Sequence, residues 1–416
     1  MSASNGGGAS SPNWADKTIW TGDNLHVMRG MNSASVDLIY LDPPFNSNAD
    51  YAAPIGSEAA GAEFKDTWTL RDVDIEWIDL MESRHPMLWQ VLLAAMTPSD
   101  KSYLAYMAVR LLELHRLLKP TGCLWLHCDP TMSHYLKLLM DAIFGKRCFR
   151  NEIIWCYPPK GRGPAKAFHR KHDVLFFYNR SPRAREGTFH RPHAPLTDKQ
   201  RKKFHAVDEQ GRRYKPFKGK RTYLDASQGR PVPSWWDDIG ATAQSRTEYL
   251  GYPTQKPLKL LQRIVAATSD SGDVVLDPFC GCATALVAAD DLQRSWVGID
   301  ISKKAAHLVV QRIEERQGLF RDIIHREDMP QRTDMGKLLS YRSAAIRKQL
   351  YGSQEGQCAA CDITFPYKVL EVDHIIARSK GGTDHPDNLQ LLCPSCNRIK
   401  GNRGMTYLRE RLQLAA

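Results

Sequence analysis

The sequence predicts an α/β protein with a Rossmann-like sheet domain followed by a small zinc-stapled domain. Two apolar runs of strand length, 35–41 and 272–277, are predicted strands that lead into Asp-Pro dipeptides. A loop of small residues and a helical pattern follow the second run, in the order of a nucleotide-binding unit. Near the carboxyl end stand two CxxC pairs, 358–361 and 393–396. Paired CxxC motifs are typical of a tetrahedral zinc site.

The chain is long enough for several domains, and its positive charge is concentrated in one segment. It has 416 residues, of which 42% are hydrophobic, and a formal net charge of +11. A length of this order usually gives two or three compact units. Between Lys160 and Arg230 there are 20 Lys and Arg against 6 Asp and Glu. Such a block is expected to bind a phosphate backbone, with a solvated surface or an acidic protein partner as the alternative.

The amino terminus and the scattered cysteines indicate a chain that stays in a reducing compartment. Residues 1–13 are rich in Gly, Ser and Asn and lack the apolar stretch of a secretory signal, so we expect a disordered tail. No run approaches the roughly 18 apolar residues that span a bilayer, so no membrane contact is expected. The cysteines outside the CxxC pairs form no disulfide-like framework, which favours the cytoplasm.

The first apolar run places a candidate catalytic residue. Pro43 and Pro44 follow residues 35–41 and block any continuation into a helix or a central strand. Asp42 therefore lies at the carboxyl end of a strand. Asp-Pro is also a common turn dipeptide, so this feature alone decides nothing.

The second run, its loop and its helix form a candidate nucleotide cradle. A short buried strand is predicted over 272–277, a loop of small residues over 278–284 and a helix over 285–292. The next strand, 295–299, ends in Asp300, about 20 residues after the loop, where a carboxylate can hold both ribose hydroxyls of a nucleoside. A glycine-containing turn between strand and helix also serves packing alone in many proteins.

Together, these motifs resemble the amino-group DNA methyltransferases over roughly residues 14–325. Further matches to that family lie at 21–24, 151–155, 171–178 and 252–257. The catalytic segment comes first, the basic insertion next and the cofactor loop last, which is similar to the permuted beta-type arrangement. The resemblance implies a Rossmann-like S-adenosylmethionine-dependent methyltransferase with permuted motif order. It also implies a target-recognition insertion at 157–250, where the positive charge is concentrated.

The resemblance implies a role for each of the two loops. S-adenosylmethionine would be bound at the second loop and around it, by Asp277, Phe279, Gly281, Thr284, Asp300, Lys256 and Asp23. The catalytic residues would be Asp42, Pro43, Pro44 and Phe45. One departure from the family pattern is Ala283, which replaces a glycine and whose methyl group would approach the methionine moiety. Because alanine is the smallest such change, we expect cofactor binding to survive.

The implied reaction is methyl transfer to an exocyclic amine of double-stranded DNA. The target base must first be flipped out of the duplex. Asp42 and the carbonyl of Pro43 would accept hydrogen bonds from the amine while Phe45 stacks on the ring, so that positioning and electrostatics do most of the work. In this family Asp-Pro-Pro-Phe usually accompanies adenine N6 and Ser-Pro-Pro cytosine N4, which favours adenine.

A long insertion follows the catalytic loop. Residues 46–100 include Trp68, Trp77 and Trp89. We interpret the insertion as a lid over the flipped base, although ordinary core tryptophans explain the pattern equally well.

A polar linker, 326–340, is expected to lead to a second domain at 341–416. A domain of that size is small for a metal-free core, and zinc binding would supply folding free energy directly. The predicted zinc ligands are Cys358, Cys361, Cys393 and Cys396. A zinc ribbon that only binds DNA is the alternative.

Residues 371–401 resemble the HNH endonucleases, with the strand, loop and helix of the ββα-metal fold in order. By that resemblance, His374 activates the water that attacks phosphorus. Asp373 and Asn397 would hold Mg²⁺ against the scissile phosphate. Asn388 would fix the loop and orient the region around His374.

Three functions follow, each with double-stranded DNA as the partner. The leading hypothesis is an N6-adenine methyltransferase with an HNH endonuclease, resembling a single-chain restriction-modification protein. The second is a methyltransferase whose zinc-binding module only binds DNA. The third is a nuclease guided by methylation, to which only Ala283 points. The sequence does not determine the DNA recognition sequence or whether the chain forms an oligomer such as a homodimer. No role is assigned to the isolated histidines, His26, His85 and His115.

Overall fold

The computed structural model describes most of the chain. The described residues are 11–46, 51–52, 63–64, 85–158, 166–183, 186–225, 228–242, 248–252, 254–317, 323–334, 340–380, 382, 384–385 and 388–412. The strands are β1 (Thr18–Thr21), β2 (Val36–Leu41), β3 (Tyr51–Ala52), β4 (Glu63–Phe64), β5 (Leu118–Cys128), β6 (Phe149–Cys156), β7 (His172–Asn179), β8 (His193–Ala194), β9 (Ala206–Val207), β10 (Arg213–Phe217), β11 (Lys220–Tyr223), β12 (Arg230–Pro231), β13 (Trp235–Trp236), β14 (Val274–Asp277), β15 (Ser295–Asp300), β16 (Ile324–Arg326), β17 (Glu371–His374) and β18 (Leu389–Leu392). The helices are α1 (Asn24–Gly30), α2 (Pro86–Leu93), α3 (Pro98–Leu117), α4 (Ser133–Phe144), α5 (Asp198–Arg201), α6 (Leu258–Thr268), α7 (Thr284–Asp291), α8 (Lys303–Gln317), α9 (Ala344–Ser353), α10 (Pro394–Lys400) and α11 (Met405–Arg411).

Nine strands form the central sheet of the first domain, in the order β13, β6, β7, β5, β2, β14, β15, β1, β16. Neighbouring strands are parallel, except that β7 is antiparallel to both β5 and β6. Strands β2 and β14 are far apart in sequence but adjacent in the sheet, where Leu276 pairs with Ile39. Their carboxyl ends therefore meet at one edge. The predicted Rossmann-like sheet is confirmed.

Helices cover both faces of this sheet. Helices α1 to α4 pack on one face, and α6 to α8 pack on the other. Along β2, Ile39 and Leu41 face the first set of helices, whereas Leu38 and Tyr40 face the second. Because both faces are covered, this strand is a nearly continuous apolar run.

The predicted target-recognition insertion, 157–250, includes β7 and β13 of the central sheet, and between these two strands it contains small sheets of its own. Strands β9, β10 and β11 form a three-stranded antiparallel sheet, and β8 pairs with β12. These short strands lie within the segment where the sequence predicts target recognition.

The second domain has a separate hydrophobic core. Strands β17 and β18 pair antiparallel and are followed by α10, which is the predicted ββα order. The core is built from α9, β18, α11 and the cysteine pairs, with Leu370, Leu391 and Leu408 among its most buried side chains. The predicted small ββα domain is confirmed.

Residues near both predicted domain boundaries contact the first domain. The Asn13 amide donates to the backbone oxygens of Gly30, at 2.9 Å, and of Gln331, at 2.7 Å. The backbone N–H of Thr333 donates to the Asn32 side chain at 2.8 Å. Residues 11–13 and 323–334 are thus hydrogen-bonded or strand-paired to the first domain, whereas 1–10 and 335–339 lie outside the described residues. The remaining bounds of the tail and linker stay predictions.

The predicted lid falls mostly outside the described residues. Trp68 and Trp77 are among the residues not described. Trp89 lies in α2 and packs against the core of the first domain, as an ordinary core tryptophan does. In the described part of the chain, every helix is too short or too polar to cross a membrane.

Candidate functional sites

One cavity of about 710 Å³ lies at the carboxyl ends of β1, β2, β14 and β15. Because parallel strands end at the same edge of the sheet, the catalytic loop and the cofactor loop open into the same space. The wall includes all the methyl-transfer and cofactor residues predicted from the sequence, namely Asp23, Asp42, Pro43, Pro44, Phe45, Lys256, Asp277, Phe279, Gly281, Thr284 and Asp300.

The two carboxylate oxygens of Asp42 have different surroundings. Oδ2 accepts a hydrogen bond from Lys256 Nζ at 2.5 Å. Oδ1 is buried and has no hydrogen-bond partner among the described residues. Buried polar atoms nearly always have a partner, so an unpaired one in a cavity wall indicates a place for a donor from a ligand. Lys256 was predicted to bind the cofactor, and the structure places its ammonium against the catalytic loop.

Two further carboxyl groups lie in the wall of the cavity. Asp277 Oδ1 accepts from the backbone N–H of Phe279 at 3.0 Å, and Asp300 Oδ2 accepts from that of Gly281 at 2.8 Å. Burial raises the pKa of both carboxyls, and the charges of Asp42 and Asp300 raise that of Asp277 further. Because a nearby positive charge favours the ionised form of a carboxyl, a cationic ligand in this cavity would lower both pKa values again.

The cofactor loop contains two residues with left-handed backbone. Gly281 has φ +48°, and a Cβ there would lie 3.0 Å from the Tyr252 ring. Ala283 has φ 62° and is fully buried in the hydrophobic core beside α7. The methyl group that distinguishes this loop from the family pattern therefore packs within the protein interior.

Tyr106 and Arg110 on α3 also line the cavity, although no sequence motif points to them. Arg110 donates to both carboxylate oxygens of Asp23, at 2.9 and 3.1 Å, and to the Asn24 side chain at 2.7 Å. Its guanidinium lies 3.4 Å from the centroid of the Tyr106 ring. Asn24 in turn donates to the Pro278 carbonyl at 2.7 Å, which ties the loop after β1 to the cofactor loop. Tyr106 and Arg110 were missed because they lie in a long helix without a motif.

A buried hydrogen-bonded chain runs behind the catalytic loop. Tyr40 bonds to His127 Nδ1 at 2.9 Å, and His127 Nε2 bonds to Asp173 at 2.9 Å. Tyr157 donates to the other oxygen of Asp173 at 3.0 Å. Burial raises the pKa of Asp173, but the hydrogen bonds and positive charges around it, those of His127 foremost, together lower it overall. The fully buried His127 ring also stacks against Phe45, with 6.1 Å between centroids. The missed signal was a histidine within an apolar strand.

The four cysteines of the second domain form one cluster. The sulfur atoms of Cys358, Cys361, Cys393 and Cys396 all lie within 4.8 Å of one another. Zinc–sulfur bonds of about 2.3 Å in a tetrahedron require sulfurs about 3.8 Å apart, so the cluster fits one zinc ion. The backbone N–H of Cys393 donates to the Cys358 sulfur at 3.2 Å, a contact that stabilises a thiolate. Among the described residues, no other group of three or more His, Cys, Asp and Glu ligands is close enough to share a metal.

The predicted magnesium ligands already have protein partners. Asp373 Oδ2 is 3.1 Å from Lys400 Nζ and accepts from the Gln390 amide at 2.9 Å. The Asn397 amide nitrogen donates to Glu371 at 2.7 Å. A metal ion at Asp373 would have to use the second carboxylate oxygen or displace the ammonium.

His374 is held by contacts that the sequence analysis did not foresee. Its Nε2 is 2.8 Å from Asp384 Oδ1, and its ring packs against Tyr341 with 4.8 Å between centroids. Asn388 accepts from the Ile376 backbone N–H at 2.9 Å and donates to the Ile376 carbonyl at 3.0 Å. Asn388 therefore closes the loop after β17, which is the contact expected of it.

The small sheet of the basic insertion displays cationic and aromatic side chains. Tyr214 and Tyr223 are cross-strand partners with 5.7 Å between centroids. Arg221 lies 5.0 Å from the Tyr214 ring, and Arg212 lies 4.4 Å from the Tyr223 ring. Exposed guanidinium groups held in this way suit contacts to a phosphate backbone.

The mixed sheet and the shared cavity define the first domain as a Rossmann-like methyltransferase. The chain belongs to the DNA methylase family, whose profile matches residues 36–311. The HNH endonuclease family matches residues 358–403.

The chain is similar to several named proteins. The Type II methyltransferase M.EcaI of Enterobacter cloacae is 25% identical over 71% of this chain and 68% of its own length. The DNA adenine methyltransferase YhdJ of Escherichia coli (strain K12) is 24% identical over 72% of this chain and 83% of its own. Among solved structures, the M1.HpyAVI-SAM complex is 16% identical in sequence to this chain, with a TM-score of 0.41. The match covers 71% of this chain and 98% of the chain in that structure.

Proposed function

We propose that the chain is a bifunctional DNA-modifying enzyme, an S-adenosylmethionine-dependent N6-adenine methyltransferase joined to an HNH endonuclease. The strongest support for methyl transfer is the asymmetry at Asp42. One oxygen is bound by Lys256 at 2.5 Å. The other is buried in the cavity wall and has no partner in the part of the chain that the structure describes. An unpaired buried acceptor is costly, and the exocyclic amine of a flipped base would supply the missing donor.

In the proposed reaction, Asp42 and the Pro43 carbonyl accept hydrogen bonds from the target amine. These bonds draw the nitrogen toward pyramidal geometry and make its lone pair available, while Phe45 stacks on the base. When bound, S-adenosylmethionine supplies an electrophilic methyl group on a sulfonium centre. The acidic wall suits that cation, and Asp300 can still accept from a ribose, since a carboxylate has about four acceptor sites.

Cofactor contacts are proposed for the remaining wall residues. The candidates are Asp277, Phe279, Gly281, Thr284, Asp300 and Asp23. Arg110 holds Asp23 in place through two hydrogen bonds and is 5% exposed. The arrangement therefore presents a preformed site, which lowers the ordering cost of binding.

Adenine N6 is the proposed target rather than cytosine N4. The Asp-Pro-Pro-Phe loop supports this choice, as does similarity to a relative named a DNA adenine methyltransferase. The test is mass spectrometry of nucleosides from DNA of a host without its own methyltransferases that expresses the chain. N6-methyladenine is expected, and Asp42→Ala should abolish it without loss of DNA binding. Detection of N4-methylcytosine instead would refute adenine as the target. N6-methyladenine that persists in the Asp42→Ala variant would refute the catalytic role of Asp42.

For the second domain we propose a structural zinc and a nuclease site. The cysteine cluster would hold Zn²⁺, and Asp373 and Asn397 would hold Mg²⁺. His374 would take the proton of the attacking water, with its ring oriented by Asp384 at 2.8 Å. His374→Ala should eliminate cleavage without loss of zinc, because the zinc ligands are cysteines only.

The restriction-modification role can be tested with two plasmids. One comes from cells without the enzyme, and the other from cells that express the His374→Ala variant. Mg²⁺-dependent cutting of only the first plasmid would support restriction with self-protection. Cutting of only the premodified plasmid would instead mean methyl-directed cleavage.

A second candidate function is a methyltransferase whose zinc module only binds DNA. The buried Lys400 favours it, because that ammonium already neutralises Asp373 at 3.1 Å. Absence of cutting of both plasmids, with the zinc content intact, would select this function.

A further inference from the structure

We infer that Lys256 is a positioning residue for Asp42, which fixes the carboxylate so that one defined oxygen receives the target amine. This inference rests on the proposed methyltransferase function. It differs from the role that the sequence implied for Lys256, which was cofactor binding.

The contacts of Lys256 are directed toward the catalytic loop. Its side chain is 9% exposed, and Nζ donates to Asp42 Oδ2 at 2.5 Å and to the Thr254 carbonyl at 3.2 Å. The same ammonium lies 5.0 Å from the centroid of the Phe45 ring, in the range of a cation–π contact. One lysine thus touches both side chains proposed to contact the flipped base.

The loop that carries Lys256 is held by a network of short contacts. The Gln255 side chain accepts from the Leu250 backbone at 3.0 Å and donates to the Glu248 carbonyl at 2.7 Å. The Glu248 carboxylate accepts from the Leu258 backbone N–H, at the start of α6, at 2.5 Å. Because the loop is closed on both sides of Lys256, the ammonium is presented in one place, as a positioning group requires.

The electrostatics of the cavity explain why Asp42 needs a cation. Asp42 shares the wall with the buried carboxyl of Asp277 and with the carboxyl of Asp300. Like charges in a buried site disfavour ionisation of one another. The Lys256 ammonium lies against Asp42 Oδ2 and offsets the negative charge around it, and the other carboxylate oxygen can accept the hydrogen bond that the amine donates.

The test compares Lys256→Met with Lys259→Met in the full chain. The side chain of Lys259 is exposed and lies three residues after Lys256 in sequence, and its substitution by Met removes the same positive charge. Methylation is followed as tritium transfer from labelled S-adenosylmethionine to unmethylated bacteriophage DNA, without divalent metal. Cofactor affinity is measured by calorimetry. For Lys256→Met we expect kcat to fall roughly 100-fold, with the Kd for S-adenosylmethionine and the KM for DNA within about threefold of wild type. Lys259→Met should match wild type.

Two further variants test whether the effect acts through Asp42. Lys256→Gln can still donate a neutral hydrogen bond and should retain more kcat than Lys256→Met. Lys256→Met should lower Tm by leaving Asp42 unpaired, and Asp42→Asn in the same chain should restore most of the loss. Recovery by the double variant supports the pairing even where the single variant folds poorly.

The outcomes separate this inference from the proposed function. Wild-type protein without label transfer would refute the proposed methyltransferase activity. Active wild type with an unchanged kcat for Lys256→Met would overturn the inference. The inference would also be overturned if Lys256→Met raised the Kd for S-adenosylmethionine about tenfold and left kcat at saturating cofactor unchanged. That result would show that Lys256 binds the cofactor.

Discussion

The ammonium of Lys400 lies 3.1 Å from the carboxylate of Asp373 and 2.8 Å from the backbone oxygen of His374. The side chain of Lys400 is fully buried. It joins the end of α10 to strand β17, which carries Asp373 and His374. The ion pair therefore stabilises the ββα domain, and it competes with any cation that binds Asp373.

Lys400→Met is expected to destabilise the second domain by about 3 to 5 kcal/mol, because it leaves the charge of Asp373 without its cation. Hydrogen exchange of the amides in 371–374 and 389–392 measures this loss locally, and more than about 100-fold faster exchange is expected. The control is Lys368→Met, whose exposed side chain should change stability by less than about 0.5 kcal/mol. Equal exchange in both variants would show that the ion pair contributes no stability.

Cys393→Ser is expected to remove zinc and unfold the second domain, because the cysteine cluster closes one tetrahedral site. Cys156→Ser, outside the cluster in β6, should keep about one zinc ion per chain. Zinc content by elemental analysis distinguishes the two. Since the ligands are thiolates, protons compete with the metal, and zinc should be lost as the pH falls. Full zinc content in Cys393→Ser would contradict the four-cysteine site.

The strands that end in a motif, and the cysteine pairs, could be predicted because their information is local. The run at 35–41 became β2, and the predicted helix at 285–292 became α7, one residue earlier. The loops of Asp42 and Asp277 meet because β2 and β14 are neighbours, which the resemblance to a known family implied and periodicity alone does not.

The contacts between distant elements could not be predicted. His127 and Asp173 meet because β5 and β7 pair antiparallel, and neither strand shows that pairing in its own residues. Lys256 belongs to the motif at 252–257, to which the family resemblance gave a cofactor role, yet it bonds to Asp42. The resemblance thus predicted the correct cavity but did not identify the partner.

Acid is expected to weaken the first domain through His115. Burial, together with the charge of Arg180, lowers the pKa of His115 from 6.5 to about 4. Between pH 6.5 and about pH 4, His115 therefore binds a proton in the unfolded chain but not in the folded chain. The folded state is therefore favoured above pH 6.5 and loses up to about 1.4 kcal/mol per pH unit as the pH falls toward 4.

Urea unfolding followed by tryptophan fluorescence measures this effect in the first domain, because all ten tryptophans precede residue 297. His115→Gln lacks the titrating group and should show a smaller dependence of stability on pH over the same window. Its absolute stability will be lower, since the ring of His115 packs edge-on against Phe144 at 4.8 Å. The same slope in both proteins would assign the acid sensitivity to other groups.

The cofactor loop gives opposite expectations for two left-handed residues. At Gly281, a Cβ would meet the Tyr252 ring at 3.0 Å, with φ at +48°. Gly281 and Tyr252 both line the cavity, and the Gly281 N–H donates to Asp300. Gly281→Ala should therefore raise the Kd for S-adenosylmethionine at least about tenfold, since a non-glycine residue is strained there and the ring must move.

Ala283→Gly is expected to leave the Kd for S-adenosylmethionine within about threefold of wild type, as measured by calorimetry. The methyl group of Ala283 is fully buried in the core, so its removal changes the interior and not the wall. Relief of the left-handed strain, about 1 kcal/mol, is offset by the lost burial and by the greater freedom of glycine in the unfolded chain. Stability should accordingly change little. A cofactor affinity that increases more than about tenfold would instead show that this methyl group crowds the methionine moiety.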